Sequence, residues 1–140
     1  MSRSTVFLAV GMTLGVFGLV AVGHEESQEL VKPLAERDIQ EKVNGKDSKA
    51  TAVEVTIEPG QSGESHRHPG PAFGYVLEGE YEWGIDDQPA KVLKAGETFY
   101  EPGGCLHRVS KNPGKVKTRF LAWVVHPRDA KVLVIPEPKK

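Results

Sequence analysis

Residues 50–68 read ATAVEVTIEPGQSGESHRH. The first half of this stretch decides the fold class. Val53, Val55 and Ile57 alternate with Glu54, Thr56 and Glu58, the period of two that a strand with one wet and one dry face requires. Pro59-Gly60 ends the strand as a turn. The second half raises a chemical question. His66 and His68 stand two apart, so in an extended chain both imidazoles leave on one face and can enter one cavity. Neutral imidazole is a good ligand for first-row transition metals. The spacing alone is weak evidence, and its weight comes from the surrounding sequence.

The strand texture continues toward the C-terminus. AFGYVL (72–77) is followed by EYEWGI (80–85), with Tyr81, Trp83 and Ile85 on one face. AKVLK (90–94), ETFYEP (97–102), CLHRVS (105–110), TRFLAWVV (118–125) and KVLVI (131–135) complete the series. Asp86-Asp87-Gln88-Pro89, Ala95-Gly96, Asn112-Pro113-Gly114 and His126-Pro127 punctuate it. Short strands separated by turn signals, with no convincing helix after residue 25, predict one small all-β sandwich or barrel.

Toward the N-terminus the texture changes. Residues 24–48 are mostly polar and read as an arm, with Leu30, Val31 and Leu34 able to dock as an edge strand. Pro33 argues against a central strand or a long helix there, and Asn44-Gly45 is a strong turn signal. Before it, Val6 to Gly23 carries no charge after a basic Arg3 and ends in Ala21-Val22-Gly23. This reads as a secretory signal peptide, alternatively as an uncleaved membrane anchor. Either way the remainder is expected outside the cytoplasm, periplasmic or secreted. The chain therefore divides into an export segment (1–23), a polar arm (24–48), a β-barrel (49–136) and a loose tail (137–140).

Charge and cysteine content narrow the function. Eighteen basic against nineteen acidic residues leave a formal charge of −1, which is no nucleic-acid footprint. Cys105 is the only cysteine, so no internal disulfide can form and an exported domain must rely on its core, helped by a metal if it binds one.

Two motifs carry a family resemblance. Gly60 precedes His66 by six residues, Gly79 follows His68 by eleven, and GETFYEPGGCLH (96–107) repeats a spacing of glycine, proline, glycine and histidine. Over roughly residues 51–125 the chain resembles the cupin family. The resemblance implies a jelly-roll β-barrel with one divalent transition metal ion (iron, manganese, zinc, copper or nickel) in its mouth. It implies His66 and His68 as ligands from the first motif and His107 as the ligand from the second. It also implies a homodimer as the expected assembly.

The departures bear on chemistry. Counting back from Gly79, the first motif's glutamate falls at Ala72, and the second motif's asparagine falls one place late, at Asn112. Three neutral histidines can still hold a divalent ion. The full double charge then favours an anionic small-molecule ligand or substrate at an open position. Glu64, Glu78, Glu80, Glu82 and Glu101 are candidate replacements for the lost acid, each expected as a solvated strand residue. Cys105 is expected as a small buried residue rather than a soft ligand. Tyr75, Tyr81, Trp83, Phe99, Phe120 and Trp123 are expected in the barrel core. Arg67 and Arg108 should point away from the histidines they follow. Two functions remain open: a metal-dependent oxygenase (less readily an isomerase) acting on a small organic anion, or a non-catalytic module that holds or senses a metal or small ligand. No general base is identifiable from the sequence.

Overall fold

The computed structural model describes residues 29–138; the export segment and the start of the polar arm lie outside the described residues. Ten strands form in chain order: β1 (Glu29–Val43), β2 (Lys46–Ile57), β3 (His66–Arg67), β4 (Ala72–Glu78), β5 (Glu80–Ile85), β6 (Lys91–Lys94), β7 (Thr98–Glu101), β8 (His107–Lys111), β9 (Thr118–Pro127) and β10 (Ile135–Pro136). They pair antiparallel in two five-stranded sheets, ordered β1-β2-β9-β4-β7 and β10-β3-β8-β5-β6. Among the described residues there is no helix. The fold is the all-β jelly roll that the strand spacing and the motifs imply.

The segment read as a polar arm supplies, from Glu29 on, a 15-residue edge strand. β1 pairs with β2 from Glu29↔Ile57 to Val43↔Lys46, with irregularities at Pro33/Ala35 and Ile39/Lys42. Most of its side chains are exposed, so no hydrophobic alternation marks it in the sequence; backbone pairing to β2 holds it, and an edge strand tolerates Pro33. Asn44 and Gly45 form the connecting turn at φ of 51° and 74°, the left-handed pair that a two-residue hairpin uses. The expected strand at 131–135 is shorter than its composition suggests, because only Ile135 and Pro136 pair, with Arg67 and His66. Nor is Glu137 loose. Its amide donates to the Ser65 carbonyl, and its carboxylate sits 3.0 Å from Arg67.

The core lies between the sheets. Tyr81 stacks on Phe120 at 4.3 Å, and Phe99 meets Phe120 edge-on at 5.5 Å. Tyr75 and Trp123, expected in this core, are instead 46 % and 44 % exposed. The reason is strand parity: on β4 Ala72, Gly74 and Val76 face inward while Phe73, Tyr75 and Leu77 face out, and on β9 Ala122 and Val124 face inward while Trp123 faces out. Small inward residues make room for larger neighbours, for a Cβ at Gly74 would fall 1.9 Å from the Phe99 ring. Outside, Phe73 stacks on Tyr100 at 5.0 Å.

Candidate metal centre

The three histidines come together from two neighbouring strands. His66 on β3 is the direct cross-strand partner of His107 on β8, and His68 follows one residue beyond β3. The rings of His68 and His107 lie 4.8 and 4.9 Å from that of His66, both edge-on. Their facing nitrogens lie within 4.8 Å of one another.

Hydrogen bonds at the back of each ring fix which nitrogen faces the centre. His66 Nδ1 donates to the Glu64 carbonyl at 2.8 Å, and His68 Nδ1 donates to the Leu133 carbonyl at 2.7 Å. A carbonyl can only accept, so each Nδ1 carries the proton and in the neutral ring each Nε2 is a bare lone pair. These two Nε2 atoms stand 3.2 Å apart. His107 is turned the other way. Ser110 donates its hydroxyl proton to Glu29, so the Tyr81 hydroxyl donates to Ser110 at 3.0 Å. Tyr81 then accepts from His107 Nε2 at 3.2 Å, leaving His107 Nδ1 bare, 3.4 Å from His66 Nε2. The relay His107–Tyr81–Ser110–Glu29 is the kind of outer support that orients a metal-binding imidazole. Tyr81→Phe is accordingly expected to weaken metal binding about 10- to 100-fold while keeping the fold, as read by metal titration of the purified variant.

Burial keeps the rings of His68 and His107 neutral. It pushes His68 down to about 4, against the Leu133 hydrogen bond, and His107 down to about 3, with His66 and His68 adding to the effect. Both groups have folded values below the unfolded one of 6.5. Their stabilisation of the metal-free protein is therefore complete above about 6.5 and is lost as pH falls toward 4 and 3. In His107→Gln one of these titrations is removed. Chelator-treated variant should lose melting temperature less steeply than wild type between pH 6.5 and 4; parallel slopes would contradict the assignment.

Glu101 corrects the expectation of a solvated strand residue. It is 2 % exposed. Its Oε1 accepts from Trp83 Nε1 at 3.0 Å and stands 3.3 Å from His107 Nδ1. Its Oε2 lies 3.5 Å from His68 Nε2 and has no hydrogen-bond partner. Burial lifts this carboxyl to about 7, against the lowering effect of Trp83 and with a further rise from Glu29. The signal in the sequence was parity: Glu101 is two residues from Phe99 and so shares its face. Tyr100 beside it made the opposite parity equally readable.

Glu29 was missed altogether. It enters the cavity from the first described residue of β1, and burial raises its carboxyl while the Ser110 bond lowers it. Glu64 lines the cavity too, whereas Glu78, Glu80 and Glu82 do not. Arg67 and Arg108 turn away as expected, Arg67 toward Glu137 and the Gly104 carbonyl, Arg108 toward the carbonyls of Asp86 and Gln88. Cys105 packs half-buried against the core, and burial pushes its thiol up to about 11, so it is an unreactive packing residue. Asn112 is fully buried and braces the turn after β8 through the carbonyls of Ile57 and Val116.

The cavity in front of the histidines has a volume of about 300 Å³, with Val31, Val53, Val55, Phe120, Val124 and Val134 among its walls. A jelly roll with inward imidazoles at one end of an apolar barrel defines a class of β-barrel proteins with a small-molecule cavity and a candidate metal centre. The family described as the cupin domain matches residues 53–124, just over half of the 140 residues, and the chain belongs to that family. Similarity to solved structures agrees. An oxalate oxidase in complex with the substrate analogue glycolate is 27 % identical at a TM-score of 0.55, over 69 % of this chain and 50 % of that one. The chain thus spans about half the length of that relative. A double-stranded β-helix protein from Klebsiella pneumoniae is 23 % identical at a TM-score of 0.60, over 82 % and 89 % of the two chains. The DMSP lyase DddQ from Ruegeria pomeroyi is 22 % identical at 0.54, over 64 % and 45 %. These last two share the fold. Among curated proteins none matches the chain.

Proposed function

We propose that the protein holds one divalent transition metal ion in its barrel and acts on a small organic anion as an oxygenase. The observation that carries this reading is the convergence of three imidazole lone pairs, each forced inward by a hydrogen bond at the back of its ring. Lone pairs facing each other at 3.2 and 3.4 Å repel one another unless a cation lies between them. Donors at about 2.0–2.2 Å from an ion stand about 2.8–3.6 Å apart in adjacent octahedral or tetrahedral positions, which these two pairs match, and all three nitrogens lie within 4.8 Å of one another. His66 Nε2, His68 Nε2 and His107 Nδ1 would hold the ion. When bound, such an ion supplies a Lewis acid with open positions and, if redox-active, a centre for oxygen chemistry.

The chain's other residues fit the same reading. Val53, Val55, Phe120 and Val124 form apolar walls that limit water around a bound molecule. No lysine or arginine is among the cavity's described lining residues, so an anion's charge would be met at the metal. Glu29, oriented by Ser110, is placed to hold or move a proton beside the substrate. Similarity to an oxalate oxidase bound to glycolate supports a small carboxylate as the class of substrate. The uncharged run Val6–Gly23 supports export, with the activity outside the cytoplasm.

The test is to express the full precursor with its export signal, purify the mature protein and measure bound metals by mass spectrometry. A His68→Ala, His107→Ala double variant runs beside it. About one ion per chain in wild type, lost in the variant, together with oxygen uptake on small carboxylates such as glycolate and oxalate, is the expected result. Tight glycolate capture without oxygen uptake would replace the oxygenase by a binding module, a reading that the missing motif acid at Ala72 favours. No metal in either protein, after iron, manganese, copper, nickel and zinc are each supplied, would sink the metal reading.

A further inference from the structure

We infer that Glu101 is the fourth donor of this centre and takes the place of the carboxylate missing at Ala72. The inference rests on the metal reading above and deepens it. Position comes first. Ala72 on β4 and Glu101 on β7 are direct cross-strand partners, so their side chains leave the sheet side by side on the same face. Both face the cavity. A carboxylate absent from one strand can therefore reach the same point from its neighbour, and the alanine methyl at 72 leaves it the room.

The donor atom comes second. Glu101 Oε1 is held by Trp83, which makes Trp83 a positioning residue. Oε2 is left buried and without a hydrogen-bond partner, a condition that buried polar atoms seldom show, and it faces His68 Nε2. Spacing comes third. The contacts His66 Nε2–His68 Nε2 at 3.2 Å, His66 Nε2–His107 Nδ1 at 3.4 Å, His107 Nδ1–Glu101 Oε1 at 3.3 Å and Glu101 Oε2–His68 Nε2 at 3.5 Å close into a ring that passes through both oxygens of the carboxylate. That is the separation of neighbouring donors around one first-row ion, about 2.8–3.6 Å. The carboxylate comes from the sheet opposite the histidines, so the centre would tie the two halves of the barrel together at its open end.

The chemistry of the ligand changes with it. A carboxylate donor lowers the net charge of the centre from +2 to +1, and ionised acids near a cation alter what binds there. Four protein donors on an octahedral ion leave two positions open. If those two are adjacent, a small anion with two oxygens to offer, such as a carboxylate beside a hydroxyl or a second carboxylate, fits better than one with a single oxygen.

Cobalt(II) is the probe, because its visible absorption reports donor number and geometry. Wild type, His68→Ala, Glu101→Gln and the exchange variant Ala72→Glu with Glu101→Ala are titrated with the ion and their spectra recorded. Glutamine keeps the Trp83 contact, and circular dichroism confirms that the fold is retained. Glu101→Gln is expected to bind more than about 100-fold more weakly, beyond the cost of losing an outer partner, with an altered spectrum. The exchange variant is expected to recover the affinity to within about tenfold, with a spectrum like that of wild type. Wild-type affinity and spectrum in Glu101→Gln, while His68→Ala fails to bind, would overturn the fourth donor and leave the three-histidine site standing. Failure of wild type itself to bind cobalt would overturn both.

Discussion

His66→Ala is expected to abolish metal-dependent stabilisation. His66 stands at the middle of the cluster. Its Nε2 faces His68 Nε2 and His107 Nδ1, and its backbone pairs with His107 across the two strands. Removing it takes away the one nitrogen that stands next to both of the others. An ion at about 1,000 times its dissociation constant stabilises the folded state by about 4 kcal/mol. For a domain of this size, where each kcal/mol moves the midpoint by about 3–4 °C, that is a rise of more than about 10 °C. The wild-type protein should show this rise on metal addition and its reversal by chelator. The alanine variant should melt at the same temperature with and without metal. Its metal-free stability should fall little, because the substitution removes a buried polar ring whose lone pair faces others. A full metal-induced shift in the variant would mean that the histidines are not the site.

Phe120→Ala is expected to be the most damaging single change to the barrel. Phe120 is 4 % exposed, stacks on Tyr81 and meets Phe99 edge-on. It also forms part of the cavity wall. Truncating a buried phenylalanine costs about 3–5 kcal/mol, a large share of the roughly 5–15 kcal/mol that holds a domain folded. Urea unfolding of the metal-free protein should show the midpoint falling with little change in slope. Trp123→Ala on the outer face is the contrast, expected to cost about 1 kcal/mol or less. The Phe120 change should carry a second effect. Tyr81 loses the ring it stacks on, the relay to His107 loosens, and metal affinity drops alongside stability. Equal losses in the two variants would contradict the division into inner and outer faces.

That division shows where sequence reading succeeds and where it stops. Period-two alternation at Val53, Val55 and Ile57, and at Tyr81, Trp83 and Ile85, was enough for an all-β fold, because a half-buried strand must alternate. The spacing of His66 and His68 was enough to send two imidazoles to one side, because residues two apart on a strand share a face, and it was the resemblance to the cupin motifs that implied His107 as the third. Other features depended on what lies across a strand. β1 shows no alternation because neither of its faces is deeply buried, and only its backbone partner on β2 identifies it. In β4 the sheet turns small residues inward and aromatic ones outward, against the hydrophobic rule, because Phe99 already fills the space above Gly74. Phe99 and Tyr100 stand side by side, so local sequence allows either one to face in. The choice falls to packing: Phe99 meets Tyr81 and Phe120 inside, while Tyr100 stacks on Phe73 outside. The same choice turns Glu101 inward, opposite Ala72. The sequence by itself determined the all-β class and most of the inner strands and, through its family motifs, the three histidines and the absence of an acid at 72. Only the tertiary structure decided that Glu101 and Glu29 enter the cavity and which nitrogen of each histidine faces it, because strand parity and ring tautomer are set by partners far away in the chain.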